Sequence, residues 1–264
     1  MANPPIITLL TDFGLSDHYV AAMKGVILGI CPHARLVDIT HEIDAFGIGE
    51  AAFTLAQSWP YFPDGTVHLV VVDPGVGSSR RPLLVEADGQ TFVAPDNGVL
   101  TMVLKAARRH EVREITEAGY FRHPVSRTFH GRDIFSPVAA HRAAGVAPPE
   151  FGNLIADPVL LPIEDPNRRD DGNWTGQILH VDRYGNLITN LPTRDFADTE
   201  NRPFELLVGG HAVVRAGGSY ASSPDDELFV IEGSSGYLEV SLDQKDASGR
   251  TGASAGSPFT FRLL

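Results

Sequence analysis

The stretch that decides how this chain is read is Val67-His68-Leu69-Val70-Val71-Val72-Asp73-Pro74-Gly75-Val76-Gly77-Ser78-Ser79-Arg80-Arg81. An apolar, β-branched run ends abruptly in an acid, passes through a Pro/Gly turn and reaches two arginines. An acid at the C-terminal end of an apolar strand, followed by a glycine-containing loop, is where open α/β sheets place ligand chemistry. Glycine suits such a loop because a backbone that closely approaches a ligand leaves no room for Cβ. The same pattern also fits a plain strand followed by a turn that Asp73 caps.

Outward from this strand, helix and strand patterns alternate. Residues 6–10 form a short apolar strand ending at Thr11-Asp12-Phe13-Gly14. Apolar residues at 20, 23, 26, 27 and 30 predict a helix over 17–30, with Ser16 as its N-cap and Pro32 as its stop. Strand 35–39 and helix 48–58 follow. Residues 82–86 and 91–93 flank Asp88-Gly89, a hairpin signal. Asn97 is placed to cap a helix running to 107, residues 112–115 read as a strand, and 133–144 as a helix stopped by Gly145. This alternation predicts an α/β N-terminal domain with a largely parallel central sheet over residues 1–160. The prolines and the charged run of 161–173 read as a linker. Residues 174–264 show short β-rich pieces separated by Gly, Ser and Asp turns, with no convincing helix. They predict a small all-β, barrel-like domain.

The bulk properties narrow the function. The chain has 264 residues and a formal net charge of −12, so a nucleic-acid-binding surface is not expected. No apolar run approaches transmembrane length, and no basic, apolar leader precedes the first strand. The expectation is therefore a cytoplasmic protein without a membrane partner. Cys31 is the single cysteine, which excludes a thiolate metal cluster and an intrachain disulfide.

Four strand-end acids, Asp12, Asp38, Asp73 and Asp96, lie at positions where neighbouring parallel strands share an edge, and converged acids suit a cationic ligand, a metal or a ribose diol. Thr128-Phe129-His130-Gly131-Arg132-Asp133 puts a histidine at a backbone-tight position beside an acid and a base, where it can orient water. His41 and Glu42 lack metal-ligand spacing toward it, and no metal site is assigned. In Asp182-Arg183-Tyr184-Gly185-Asn186 an aromatic flanked by Asp and Asn can stack on a purine and read its edge. A strand–turn–strand with Gly185 in the turn explains the same residues. Glu232-Gly233-Ser234-Ser235-Gly236-Tyr237 offers backbone N–H groups and hydroxyls ahead of a strand.

Taken together and in order, these blocks, with Met23-Lys24-Gly25, Asp38-Ile39-Thr40-His41-Glu42 and Ala94-Pro95-Asp96-Asn97-Gly98, resemble the S-adenosyl-L-methionine hydroxide adenosyltransferase family. These are SAM hydrolases related to the fluorinating and chlorinating adenosyl-halide synthases. The resemblance implies an α/β domain, a barrel-like domain and a homotrimer with small-molecule sites at subunit interfaces. It implies a water-activating trio on Asp73, Arg80 and His130. The family spacing selects Arg80 over Arg81, and the halogenating relatives lack the trio. Adenosine and ribose contacts carry over to Asp12, Asp182, Tyr184, Asn186 and segment 234–237, which includes Tyr237. Asp17 and Ser234 match contacts to the methionine end, and Thr128 and Phe129 adjoin the histidine. Phe46 stands where the halogenating relatives have a Trp, and Ser235 where they have an Arg. The implied reaction is hydrolysis of S-adenosyl-L-methionine to adenosine and L-methionine, without a cofactor. The alternatives are a SAM- or adenosine-binding protein with no turnover, and a SAM-dependent halogenase.

Overall fold

A computed structural model describes residues 3–196, 202–222 and 226–264. The contacts divide the chain into two units, 1–161 and 162–264.

The first unit is built on a six-stranded sheet ordered β2-β1-β3-β5-β4-β6. Its strands are β1 (Ile6–Thr11), β2 (Arg35–Thr40), β3 (Val67–Val71), β4 (Pro82–Ala87), β5 (Gln90–Pro95) and β6 (His110–Glu114). The first four in that order are parallel, β4 runs antiparallel to β5, and β6, antiparallel to β4, returns to the direction of the other four. Strand alternation divides the apolar residues between two cores. Ile7, Leu9, Val67, Leu69 and Val71 face one core, while Leu10, Val70 and Val72 face the other. Helices α1 (Tyr19–Ile30) and α4 (Ser136–Ala143) cover the first side, with Met23, Ile27, Val138 and Ala139 buried there. Helices α2 (Ile48–Ser58) and α3 (Thr101–Ala106) cover the second through Ala51, Leu55 and Val103. The C-terminal ends of four parallel strands thus share one edge; Asp12, Asp73 and Asp96 stand there, whereas Asp38, expected at a strand end, lies inside β2 opposite Leu9 because the strand runs on to Thr40.

Several boundaries differ from expectation. α1 begins at Tyr19 after His18, not at a Ser16 cap, and its N-terminus has no side-chain cap bond. Asn97 does not open α3 directly. Its side chain accepts from Val99 N at 3.2 Å and donates to the Val72 carbonyl at 2.8 Å, pinning the end of β3. The helix expected over 133–144 starts instead as a π-helical turn, Gly131–Phe135, which continues into α4.

In the second unit, β8 (Trp174–Val181), β9 (Leu187–Pro192), β10 (Phe204–Val208), β11 (His211–Val213), β12 (Phe229–Glu232), β13 (Tyr237–Ser241) and β14 (Pro258–Leu263) follow the order β11-β10-β14-β8-β9-β13-β12. The short β7 (Asn167–Arg168) pairs with β8, so part of the 161–173 stretch belongs to this sheet. The chain just beyond β11 bridges to β12: Gly217 N donates to the Val230 carbonyl, and Val230 N to the Arg215 carbonyl, each at 2.8 Å. First and last strands are thereby joined, giving a nearly closed barrel around Phe204, Leu206, Leu238, Val240, Phe259 and Phe261. Two short helices, α5 (Thr193–Phe196) and α6 (Ala247–Thr251), break the all-strand expectation. Among the described residues no helix is long and apolar enough to cross a membrane.

One buried polar cluster makes the first unit acid-sensitive. His68 Nε2 donates to Gln90 Oε1 at 2.6 Å, so its Nδ1 accepts from the Thr8 hydroxyl at 2.8 Å. The ring is stacked on Phe92 at 4.8 Å. Burial pushes its pKa down to about 4, against a bond to Gln90 that favours the charged form. An imidazole depressed in the folded state stabilises the fold fully above its unfolded pKa, and that stability is lost as pH falls from about 6.5 toward 4. The loss expected across this window is about 3 kcal/mol. Denaturant midpoints at pH 7 and pH 4.5 check it, and His68→Gln should flatten the dependence.

Candidate active site

The geometry at the end of β3 follows from the opening stretch. Asp73 leaves the sheet directly after Val72, and the loop 74–79 returns Arg80 beside it. Arg80 Nε donates to both carboxylate oxygens of Asp73, at 2.9 and 3.0 Å, and Arg80 Nη2 also bonds to Asp73 Oδ2. The same Nη2 lies 2.9 Å from His130 Nδ1. The guanidinium stacks over the Phe135 ring at 4.9 Å. Side-chain exposures of 9% for Arg80 and 5% for Asp73 make this a largely desolvated pair, so its fork geometry is the condition for keeping both charges there. Three residues spread from position 73 to position 130 are thus brought together by one guanidinium.

The contact fixes the state of His130. A guanidinium can only donate, so Nδ1 accepts and the ring is neutral with its proton on Nε2. Burial and the Arg80 charge hold its pKa below the usual imidazole value, against the opposing pull of Asp73, Asp133 and the Ser126 backbone. The loop carrying His130 is clamped from beneath by Asp133, which is fully buried. Asp133 accepts from Arg132 Nε at 2.7 Å, Arg132 Nη2 at 2.8 Å, Arg122 Nη1 at 3.2 Å and the Ser126 backbone N at 2.9 Å. Burial opposes ionisation of Asp133, but these donors outweigh it and hold its pKa below the ordinary carboxylate value. The π-helical turn at 131–135 places both His130 and Phe135 against Arg80, a use of π geometry common at functional sites. Arg122, Ser126 and Phe135 carry no local sequence signal. Their roles come from the fold.

The adjacent arginine does something different. Arg81 donates to Asp96 Oδ2 at 2.8 Å and to Asp157 Oδ1 and its carbonyl at 3.0 and 2.7 Å. Asp96 also accepts from Val159 N at 2.8 Å. Asp38 is engaged by Lys24 at 2.7 Å and His41 at 3.1 Å. The four acids expected to converge therefore do not share partners. Only Asp73 joins the trio. Asp12 Oδ2 accepts from the Phe46 backbone N at 2.9 Å, holding Phe46 at φ 69° with the residue 69% exposed. A bulky residue at positive φ is strained and persists only where its surroundings enforce it. Asp17 and Thr128 are exposed, whereas Phe129 is buried against Phe13 and Tyr19.

In the second unit, Asp182 and Asn186 are joined to each other. Asn186 Nδ2 donates to Asp182 Oδ2 at 2.8 Å, and Asp182 Oδ1 accepts from the backbone N of Tyr184 and of Asn186, each at 2.9 Å. Gly185 sits at the turn with φ +84°. The strand–turn–strand explanation is therefore realised, and it leaves Tyr184 78% exposed at the tip. Segment 234–237 is the turn of the β12–β13 hairpin, with Ser234 exposed and Ser235 and Tyr237 half-buried.

Sequence models of the SAM hydroxide adenosyltransferase N-terminal domain match residues 7–152, and those of its C-terminal domain match residues 176–260. The chain belongs to the SAM hydroxide adenosyltransferase family. It is 36% identical to a Thermus thermophilus protein named (R)-S-adenosyl-L-methionine hydrolase, over 98% of this chain and 99% of that one. A fluorinase of Nocardia brasiliensis is 29% identical over 72% of each chain. A crystal structure of a conserved Thermotoga maritima protein superposes with a TM-score of 0.88 at 36% identity, covering 97% of this chain and 99% of that one. The SAM hydroxide adenosyltransferase family thus contains both hydrolase and halogenating relatives of this chain.

Proposed function

We propose that this chain is an S-adenosyl-L-methionine hydrolase that forms adenosine and L-methionine. A water oxygen bonds to the ribose C5′ while the C5′–S bond breaks and its electron pair goes to sulfur. The sulfonium becomes the neutral thioether of methionine, and one proton is released. The leaving group is already activated, so no cofactor is assigned. The single observation that carries the reading is Arg80, one guanidinium bonded to both Asp73 and His130 in a largely desolvated place. Water is a poor nucleophile, and charge developing toward hydroxide is what a preorganised cation stabilises. Asp73 is the acceptor for the proton that the water loses, and the neutral His130, its Nδ1 already taken by Arg80, orients the water through Nε2–H. The sulfonium loses charge in the transition state, so a carboxylate held by Arg80 rather than by sulfur avoids over-stabilising the ground state.

Binding is assigned to Asp12, Asp17, Phe46, Thr128 and Phe129 from the first unit and to Asp182, Tyr184, Asn186, Ser234, Ser235 and Tyr237 from the second. A cytoplasmic homotrimer with sites at subunit interfaces belongs to the same proposal. Its support is the family resemblance and the exposed residues Phe46 and Tyr184, and sedimentation analysis tests the trimer.

Incubation with each sulfonium epimer of S-adenosylmethionine, followed by chromatography, tests the reaction. The R epimer is the first choice because it is named in the Thermus thermophilus relative. Adenosine and methionine are expected. Binding without adenosine would make the protein a sensor, and halogenated adenosine on adding chloride or fluoride would make it a halogenase. The active form holds His130 neutral, so protonation would place a cation against Arg80. We expect kcat/KM to be flat near neutral pH and to fall only below about 6.5, the ordinary imidazole value. An acid limb centred above that value would contradict the assignment.

A further inference from the structure

Glu239 is a buried acid that the reaction above does not use. It lies on β13, is 4% exposed, and among the described residues forms no ion pair. Its Oε2 accepts from the Tyr220 hydroxyl at 2.9 Å, and its Oε1 from the Ser235 hydroxyl at 3.4 Å. A Cβ at Gly233 would stand 1.9 Å from Oε1, so the carboxylate occupies the inside of the hairpin turn. The β13–β9 pairing shifts register between Tyr237 and Glu239, a bulge of the kind that re-aims a side chain. Burying a carboxylate without a cation is costly, and a leucine would fill the same space without that cost. Burial first, then the like charge of Asp182, push the Glu239 pKa up, while the Tyr220 and Ser235 hydroxyls oppose the shift. What the carboxylate supplies and a leucine cannot is a pair of acceptors that tie Ser235 and Tyr220 from within.

We infer that Glu239 is a positioning residue for the substrate: it acts through Ser235 and Tyr220 to hold turn 233–236 in the geometry that binds the nucleoside sulfonium. This rests on the hydrolase reading and adds a residue to it. Its burial behind the turn separates it from the reacting atoms, so its loss weakens binding and leaves the chemical step to Asp73, Arg80 and His130.

Steady-state adenosine release from S-adenosylmethionine distinguishes this from a purely structural role. Glu239→Ala should raise KM tenfold or more with kcat within threefold of wild type. Glu239→Gln keeps an acceptor of the same length and should recover most of the affinity. Tyr220→Phe removes one donor and should raise KM about threefold, which keeps the test available if the alanine variant does not fold. Gly233→Ala should raise KM strongly by itself, but add little in combination with Glu239→Ala, because the colliding carboxylate is then gone. An unchanged KM in Glu239→Ala and Tyr220→Phe, or a loss confined to kcat, would overturn the inference. Wild-type turnover is the internal reference. If wild type releases no adenosine, the hydrolase reading fails, and the Glu239 effect is read instead on S-adenosylmethionine Kd by calorimetry.

Discussion

Replacing Arg80 with alanine is expected to lower kcat/KM for adenosine release by about 10³-fold, equivalent to about 4 kcal/mol of transition-state stabilisation. Removal of a single preorganised donor to a developing oxyanion costs 10² to 10³ in other enzymes. Arg80 does more than donate: it neutralises Asp73 and dictates the His130 tautomer. Its loss leaves a desolvated carboxylate unpaired and frees the imidazole to rotate. Lysine is not a substitute, because a point charge cannot span two carboxylate oxygens and a ring nitrogen with a rigid fork. Arg80→Lys should therefore fall close to the alanine variant. Arg81→Ala is the matched control. It releases Asp96 and Asp157, which should cost about 1–2 kcal/mol of stability while leaving adenosine release intact. Chromatographic initial rates and urea midpoints on both variants decide the matter. Equal losses of activity from Arg80 and Arg81 would remove Arg80 from the chemistry.

The two arginines also show how far the sequence could be read. Residues 67–72 alternate between two buried faces, and that alone predicts a central strand covered on both sides. The Asp88-Gly89 hairpin is equally legible, since both residues take the positive φ that such a turn needs. The pairing of β6 with β4 at the sheet edge is not, because an apolar strand does not name its partner. Closure of the barrel by residues 215–217 depends on a partner that periodicity does not name. The same limit applied to the site. Asp73 and Arg80 are seven residues apart in one loop, but His130 arrives through a π-helical turn that helix-period reasoning reads as ordinary helix. It was the family resemblance that joined the three. Glu239 was illegible for a local reason: between Leu238 and Val240 it occupies the position where strand alternation puts a solvent-facing polar residue. In the fold the Tyr220 hydroxyl and the hairpin turn at Gly233 lie against it.

Gly77→Ala is expected to reduce kcat by 100-fold or more with only a modest fall in Tm. Gly77 has φ +78°, and a Cβ there would lie 2.4 Å from the Arg127 carbonyl oxygen. Adopting that φ costs an alanine about 1–2 kcal/mol, which is the stability part of the effect. The collision is the functional part. Gly77 lies on the loop between Asp73 and Arg80, and Arg127 on the loop that presents His130. Neither loop can yield alone. The first is anchored by the Arg80–Asp73 fork, and the second by Ser126 N and Arg122 on buried Asp133. The added methyl must therefore drive the two loops apart, stretching the 2.9 Å contact between Arg80 and His130. A displacement of about 1 Å in a reacting constellation is enough for a 10²-fold loss. Gly145→Ala separates strain from collision. It sits at φ +103° with no atom within 4 Å of an added Cβ, so it should lower Tm by a comparable amount and leave kcat unchanged. Parallel measurements of kcat and Tm on the two variants then test the loop-to-loop contact itself. Wild-type kcat in Gly77→Ala would mean that the closeness of these loops is not what assembles the trio.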